Sequence, residues 1–540
     1  MPDASPASSP STGPQLDVAI VGGGLGGLYA IHRLRGMGLK VRAYEAGSGV
    51  GGTWFWNRYP GARCDVESME YSYQFSEELQ QDWEWTERYA AQPEILRYIN
   101  HVADRFDLRR DIQFDTKVTA ARFDEAEAAW IVDTDDGRRT VARFCIMATG
   151  CLSTANTPSF PGGDAFLGER YHTGRWPHET VDFTGKRVGV IGTGSSAVQS
   201  VPEIARQAKH LTVFQRTPNY MVPAQNRPLD PETQKAIKAD YATLRARAKR
   251  SRSGIDIVFN ETSALEVTPE ERNREYEARW AKGGFGFNGS FADLALDQAA
   301  NETAAEFVRA KVRAIVRDPK VADLLSPRNT IGCKRLCIDT GYWDTFNRPN
   351  VTLVDISSSP IEALTETGVR VAGRDYELDA IVFATGFDAM TGTLLRIDIR
   401  GTGGVSLREA WEEGPRSYLG LGIAGFPNLF TITGPGSPSV LTNMVPTIEQ
   451  HVEWIAGCLA HLRAKGLKRI EASRAAEDAW VAHGAEIADA SLRVTCNSWY
   501  LGANIPGKRR VFMPYLGGFP AYVAKCEEIV ANGYEGFALA

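Results

Sequence analysis

The 540-residue chain has no apolar run approaching the ~18 residues that a bilayer-crossing helix needs, so no membrane span is expected. It has no basic excess either: 60 Lys and Arg stand against 66 Asp and Glu, a formal net charge of -6. No nucleic-acid partner is therefore expected. The one basic run, Arg245–Arg252, reads as a solvated helix face. Cysteine is sparse: eight residues, with no C-x-x-C pair among them. That removes dithiol redox chemistry. The scattered cysteines read as reduced cytoplasmic thiols, and Cys333 and Cys337 as small core hydrophobes. Histidine, also eight residues, has no H-E-x-x-H or other paired-ligand spacing, so no metal site is expected. Residues 1–14 are rich in Ser, Pro and Ala and lack the basic and apolar regions of a signal peptide. A disordered tail is expected there.

What is present is ordinary in composition, 43% hydrophobic and 23% charged, but long enough for two or three cores. Leu16–Val21 reads as a buried parallel strand and runs directly into Gly22-Gly23-Gly24-Leu25-Gly26-Gly27. The apolar spacing that follows, Leu28–Leu34, fits a helix. This is G-x-G-x-x-G in its proper setting. Gly22 makes the tight turn, Gly24 lets backbone approach a pyrophosphate, and Gly27 lets helix pack on strand. The helix N-terminus then offers free N–H groups and a favourable dipole. A second strand, Lys40–Tyr44, ends in Glu45, placed to accept ribose hydroxyls. Such an acid repels a 2′-phosphate, so this loop calls for FAD or NAD.

The pattern recurs. Strand Arg187–Ile191 leads into Gly192-Thr193-Gly194-Ser195-Ser196-Ala197, with alanine at the third glycine position. The next strand, Leu211–Phe214, is followed by Gln215-Arg216-Thr217 in place of an acid. Arg216 supplies a bidentate donor and Thr217 a hydroxyl, the groups that a 2′-phosphate needs. This loop is expected to bind NADPH. Two such units imply a hydride relay from NADPH to a bound flavin. The apolar strands ending in Ala148-Thr149-Gly150 and Ala384-Thr385-Gly386 read as the two returns of chain between the units.

Phe166-x-Gly168-x-x-x-His172-x-x-x-Trp176-Pro177 precedes the second strand–loop unit. It is similar to the fingerprint of type I Baeyer–Villiger monooxygenases; N- and S-oxygenating flavin monooxygenases usually end that stretch in a different residue. The resemblance extends through Gly52–Asp65, Cys333–Leu336, Gly434–Pro438 with Asn443-Met444, and Ser498–Lys508. The run Arg63–Ser68 is closer to phenylacetone and steroid monooxygenases than to cyclohexanone monooxygenases. His172 itself reads as a hydrogen-bonded linker residue, not a catalyst.

The resemblance implies an activity: NADPH reduces FAD, O2 adds at the flavin C4a, and the peroxide attacks a ketone to give an ester or lactone while NADP+ stays bound. Arg335 matches the family's catalytic arginine, a cation that cannot quench a peroxide anion by giving up a proton. Asp65 matches the acid that orients it. By the same carry-over Thr53, Trp54, Phe55, Trp56, Asp65, Tyr71, Val118 and Met444 fall at FAD positions. Arg63, Cys64, Thr193, Gly194, Ser195, Ser196, Ala197, Val198, Gln199, Arg216, Thr217, Lys334, Arg335 and Trp499 fall at NADP positions. Lys334 adds a second cation for the 2′-phosphate, and Ser439–Thr442 corresponds to a substrate-lining loop.

The expected architecture is α/β: two Rossmann-like dinucleotide-binding domains with a helical subdomain inserted in the NADPH domain. Residues 15–152 and 386–540 are assigned to FAD, 153–224 and 329–385 to NADPH, and 225–328 to the helical subdomain. Helices are expected over Pro231–Ser251 and Pro269–Lys282, either side of the glycine-rich 283–289. A cytoplasmic monomer or weak homo-oligomer is expected. The competing readings are an N- or S-oxygenating monooxygenase or NADPH oxidase on the same fold, and a dinucleotide-fold binding protein without catalysis.

Overall fold

The computed structural model describes residues 14–540; the tail expected over 1–14 lies, apart from Pro14, outside the described residues. The chain builds two mainly parallel sheets. In the first, strand Leu16–Val21 lies between Val41–Tyr44 and Arg139–Met147, parallel to both. Ile112–Gln113 continues the sheet beyond Val41–Tyr44.

Strand Arg139–Met147 is shared along its far edge. Its first half pairs antiparallel with Ala129–Thr134, starting a meander through Val118–Asp124 to Asp398–Arg400. Its second half pairs in parallel with Leu429–Thr431. Residues from widely separated parts of the chain thus build one sheet. Helices Leu25–Gly36 and Met444–Lys465 pack together over it, around a core that includes Leu28, Ile31, Phe430, Val452 and Ile455.

The second sheet is parallel throughout, in the order Val351–Asp355, His210–Gln215, Arg187–Ile191, Ala380–Phe383, Glu169–His172. Its central strands are near-continuous β-branched or aromatic runs, as burial on both faces requires. Helix Ser195–Gln207 covers one face, and an antiparallel hairpin set, Ile361–Glu377, borders the other core. The fold is α/β, as expected.

Helices Pro231–Ala239, Tyr241–Arg250, Pro269–Lys282, Gln298–Ile315 and Pro319–Leu325 occupy the stretch expected to be helical. Arg245 departs from the solvated-face expectation. It is buried, donating to the Glu70 carbonyl at 2.8 Å and to Ser72 Oγ at 2.7 Å. Arg247, on the same helix, pairs with Asp256 at 2.8 Å. Among the described residues no helix is long and apolar enough to cross a membrane.

Candidate active site

Each glycine loop opens in the same way. Gly22 and Gly192 both have φ of +114°, and a Cβ on either would sit 2.4 Å from a carbonyl oxygen, of Ala148 and Ala384 respectively. The two A-T-G returns therefore cross directly against the first glycine of each loop, which sharpens the sequence expectation. The helices that follow, at Leu25 and Ser195, have no side-chain cap and no acid in their first turn. Their leading N–H groups are left for an anion.

The strand-end residues differ. Glu45 is buried; its Oε2 accepts from the Gly23 N–H at 2.6 Å and its Oε1 from the Gly47 N–H at 2.8 Å. Burial raises its pKa against the pull of those N–H groups. At the second loop Arg216 is exposed, and Thr193 Oγ1 donates to the Thr217 carbonyl at 2.6 Å. Lys334 lies close enough for Arg216 to depress its pKa, after burial, the larger cause. No ion pair involves either cation among the described residues.

Residues 53–65 lie between the two units. The short helix Thr53–Trp56 exposes Thr53 and buries Trp54 and Phe55, and Trp54 Nε1 donates to Tyr71 Oη at 3.1 Å. Trp56 lies near Glu45, and its carbonyl accepts from the Trp176 N–H at 3.2 Å. Gln199, on the second loop's helix, accepts from Tyr59 Oη at 2.8 Å and donates to the Arg63 carbonyl at 3.0 Å and to Asp65 Oδ1 at 3.3 Å. Ser195 Oγ contacts Cys337 Sγ, and Ser196 Oγ accepts from Thr173. Ala197 and Val198 pack inward, Arg63 pairs with Glu87 at 2.9 Å, and Cys64 is buried, its thiol pushed up to about 12.

Asp65 and Arg335 come together across 270 residues of sequence, Arg335 Nε donating to Asp65 Oδ2 at 3.2 Å. Arg335 Nη1 donates to the Val440 carbonyl at 3.0 Å, and its guanidinium lies 5.2 Å from the Phe285 ring centre. Burial raises the Asp65 pKa, and Arg335 pulls it back. Burial works against the Arg335 charge too, but Asp65 and then Tyr500 outweigh it and raise its pKa. The cation is thus fixed on several sides.

Val440 follows Ser439, a non-glycine residue at φ +42°. Thr433 and Met390 are also left-handed, at +56° and +66°. All three residues meet around Cys151. Cys151 Sγ contacts Ser439 Oγ at 2.9 Å and donates to the Thr433 carbonyl at 3.2 Å, and Ser439 Oγ reaches Met390 Sδ at 3.8 Å. Left-handed backbone at non-glycine residues costs energy and persists because the surrounding contacts hold it. Trp499 packs on this apolar wall with Tyr500, Met513 and Met444. Met444 opens its helix behind the Asn443 cap. Val118 is buried in its strand.

His172 Nδ1 accepts from the Gly174 N–H at 2.9 Å, so Nε2 carries the proton. It faces the Asn156 carbonyl and Thr385 Oγ1, each at 3.2 Å. Burial keeps the ring neutral by lowering its pKa. It ties together both linkers between the sheets, the role expected from its sequence position.

A model of the flavin-binding monooxygenase-like family matches residues 15–227. A Baeyer–Villiger monooxygenase of Pseudooceanicola batsensis is 45% identical, over 97% of this chain and 96% of that one. This chain belongs to the Baeyer–Villiger monooxygenases. An acetone monooxygenase (methyl acetate-forming) of Gordonia sp. (strain TY-5) is 44% identical over 97% of this chain and 99% of that one. A solved structure of an oxidized steroid monooxygenase bound to NADP has a TM-score of 0.93 at 56% identity, covering 97% of this chain and 99% of that one.

Three features of this Baeyer–Villiger monooxygenase escaped sequence reasoning. Phe285 and the Val440 carbonyl reach Arg335 only through tertiary placement. Cys333 does not pack as a free thiol near Cys337: it is disulfide-bonded to Cys496, 163 residues away. The remaining six cysteines are free and buried. The C-x3-C spacing drew attention to the wrong partner, because nothing local marks 496 as its neighbour.

Proposed function

We propose that this chain converts ketones to esters or lactones with O2 and NADPH, with FAD as its resident cofactor. The observation that carries the reading is the half-buried Asp65–Arg335 pair, fixed against Val440 and Phe285 between the two glycine loops. The acetone substrate named for one relative and the NADP bound in another support it.

The residues present fit both cofactors. The uncapped helix at Leu25, the left-handed Gly22 and the buried Glu45 suit the diphosphate and ribose of FAD. Thr53, Trp54, Phe55, Trp56, Tyr71, Val118 and Met444 complete that side. The second loop, with Arg216, Thr217 and Lys334, suits NADPH, and Arg63–Asp65, Gln199 and Trp499 close the path towards the flavin. On this reading 15–152 and 386–540 form the FAD domain, 153–224 and 329–385 the NADPH domain, and 225–328 the helical subdomain. The enzyme is placed in the cytoplasm as a monomer or weak homo-oligomer.

When bound, FAD takes hydride from NADPH and activates O2 for insertion beside the ketone carbonyl. The chain's own part is electrostatic. Arg335 places a permanent positive charge where negative charge develops during oxygen transfer. Asp65 turns the guanidinium and limits its movement, leaving Nη2 for the reacting oxygen. The strained 439–442 loop sets the carbonyl that holds Nη1 and forms one wall for the ketone.

Arg335→Ala tests the reading. NADPH should still bleach the flavin at close to the normal rate, while ester formation falls by at least about 100-fold, as for loss of a preorganised oxyanion donor. Retained ester formation refutes the role. A purified protein that oxygenates only amines or sulfides, or that oxidises NADPH with no dependence on ketone, refutes the function.

A further inference from the structure

Two segments approach the Arg335 site from distant parts of the chain. Residues 330–333 run straight into Lys334 and Arg335, and residues 491–497 run into Trp499. They are joined three times. Cys333 and Cys496 form the disulfide, Thr495 Oγ1 donates to Thr330 Oγ1 at 3.0 Å, and Arg493 Nη1 donates to the Gly332 carbonyl at 3.1 Å. The Leu492 N–H also donates to the Ala295 carbonyl at 2.8 Å, anchoring 491–497 to the helical region.

Charge opposes this arrangement. The Arg493 guanidinium has no carboxylate partner among the described residues; its one side-chain hydrogen bond is to the Gly332 carbonyl. Burial pushes its pKa down; Tyr500 acts in the other direction, and the cations Arg252 and Arg335 add smaller downward pushes. Hydrogen bonds that exchange with water hold two segments together only weakly. Of the three joins between 330–333 and 491–497, the disulfide alone is covalent.

We propose that the Cys333–Cys496 disulfide is a positioning device for oxygen transfer, holding the Lys334–Arg335 cations against the Trp499 wall. The inference rests on the oxygenase reading above. The bond forms when a two-electron oxidant such as hydrogen peroxide takes both thiols: their sulfurs join and the two protons leave in two water molecules. A dithiol reverses it by exchange, becoming a cyclic disulfide as both cysteines regain protons. Cys496 is the partly exposed partner and so the point of attack, whereas Cys333 is buried.

The test uses the FAD-loaded enzyme. Unfolded in alkylating agent without reductant, digested and weighed, it should yield the peptides carrying Cys333 and Cys496 as one species, two hydrogens lighter than the separate thiols. Six of the eight cysteines should be alkylated; finding all eight alkylated overturns the proposal. Dithiol treatment of the wild type should raise the ketone KM and the uncoupled share of NADPH oxidation about three- to tenfold, the scale of a small misplacement of reacting groups. Flavin bleaching at saturating NADPH should stay unchanged, and reoxidation should restore coupling. Cys496→Ser should match the reduced enzyme and ignore dithiol. If reduction lowers only the melting temperature, leaving KM and coupling as they were, the bond is structural and the proposal fails. If the untreated enzyme shows no bleaching by NADPH, the oxygenase reading fails and takes the proposal with it.

Discussion

At the first glycine loop the strand-end side chain is Glu45, buried and already holding two backbone N–H groups; at the second it is Arg216, exposed and without an ion-pair partner among the described residues. The surroundings differ in the same sense. A Cβ on Gly24 would meet Gly52 Cα at 3.3 Å, because the 51–56 segment folds over the first loop, whereas around Gly194 there is nothing within 4 Å. One backbone device thus serves two binding regimes. A covered loop with its acid prearranged suits a ligand that stays, and an open loop with a free cation suits one that exchanges. On the function proposed above, the shared motif serves as a phosphate cradle in both loops, and the neighbours set how long each ligand stays.

The strongest way to break this comparison is to damage both loops identically. Gly22→Ala and Gly192→Ala each force a side chain into left-handed backbone and against a carbonyl 2.4 Å away. Gly22→Ala should purify nearly free of flavin, read from its absorbance. Gly192→Ala should stay yellow but lose bleaching by NADPH at ordinary concentrations. Two variants that both stay yellow, or both lose flavin, would erase the distinction.

The next largest effect separates NADPH from NADH. Arg216→Ala should raise the KM for NADPH about 10- to 100-fold, the scale of a lost charge-assisted hydrogen bond, and leave the NADH value nearly unchanged. Lys334→Ala should act in the same direction, with a smaller effect because the Arg216 guanidinium presents the planar fork. Equal effects on the two nucleotides would remove the 2′-phosphate from the account of this loop.

Much of this was readable in advance because it is local. Strand, glycine turn, helix and strand-end residue lie within about 30 residues in each unit, so their spacing carries their geometry. Asp65 and Arg335 are 270 residues apart and were paired only through the resemblance of their surrounding motifs. What sequence spacing missed depends on how distant segments meet. Phe285 sits in a glycine-rich stretch whose composition says nothing about Arg335. Arg245 belongs to a basic run that looks solvated, yet the 70–72 backbone arrives to cover it. Cys333 has Cys337 as its near neighbour in sequence and Cys496 as its partner in space.

A milder change sharpens the claim that Glu45 is prearranged. Glu45→Gln keeps one acceptor oxygen, for Gly23 or Gly47, and loses the charge and the second acceptor. Flavin affinity should weaken about three- to tenfold, in line with one hydrogen bond, while the KM for NADPH stays put. Fluorescence of released flavin on dilution measures it. A variant that holds flavin as tightly as the wild type would show that the acid shapes the loop without contributing to ribose binding.

A pH dependence is also expected, centred on the first loop's side of the molecule. Glu449 lies on the helix that packs against Leu25–Gly36, and accepts from the Gln74 and Phe75 N–H groups at 2.7 and 3.0 Å. Glu70 accepts from the Asp256 N–H at 2.7 Å and lies close to the negative charges of Glu67 and Asp256. Burial raises both carboxyls to about 7, although Arg245 favours ionisation of each and Lys249 that of Glu449. An acid whose folded pKa is raised binds its proton more tightly in the native state. Its contribution is therefore complete below about pH 4.5 and is lost as pH rises through 7. Melting temperature and flavin retention should thus fall together between pH 5 and 8, by an amount bounded at about 3 kcal/mol for each acid. Glu449→Gln keeps the acceptor for Gln74 and Phe75 and should flatten that slope, with most of its benefit at the alkaline end. Asp65 and Asp339, the acids near the second loop's helix, are also raised by burial but not to the range near 7 of Glu70 and Glu449, so NADPH binding there should not share this trend; a parallel decline there would mean that the two loops are coupled through the whole fold and not set by their separate surroundings.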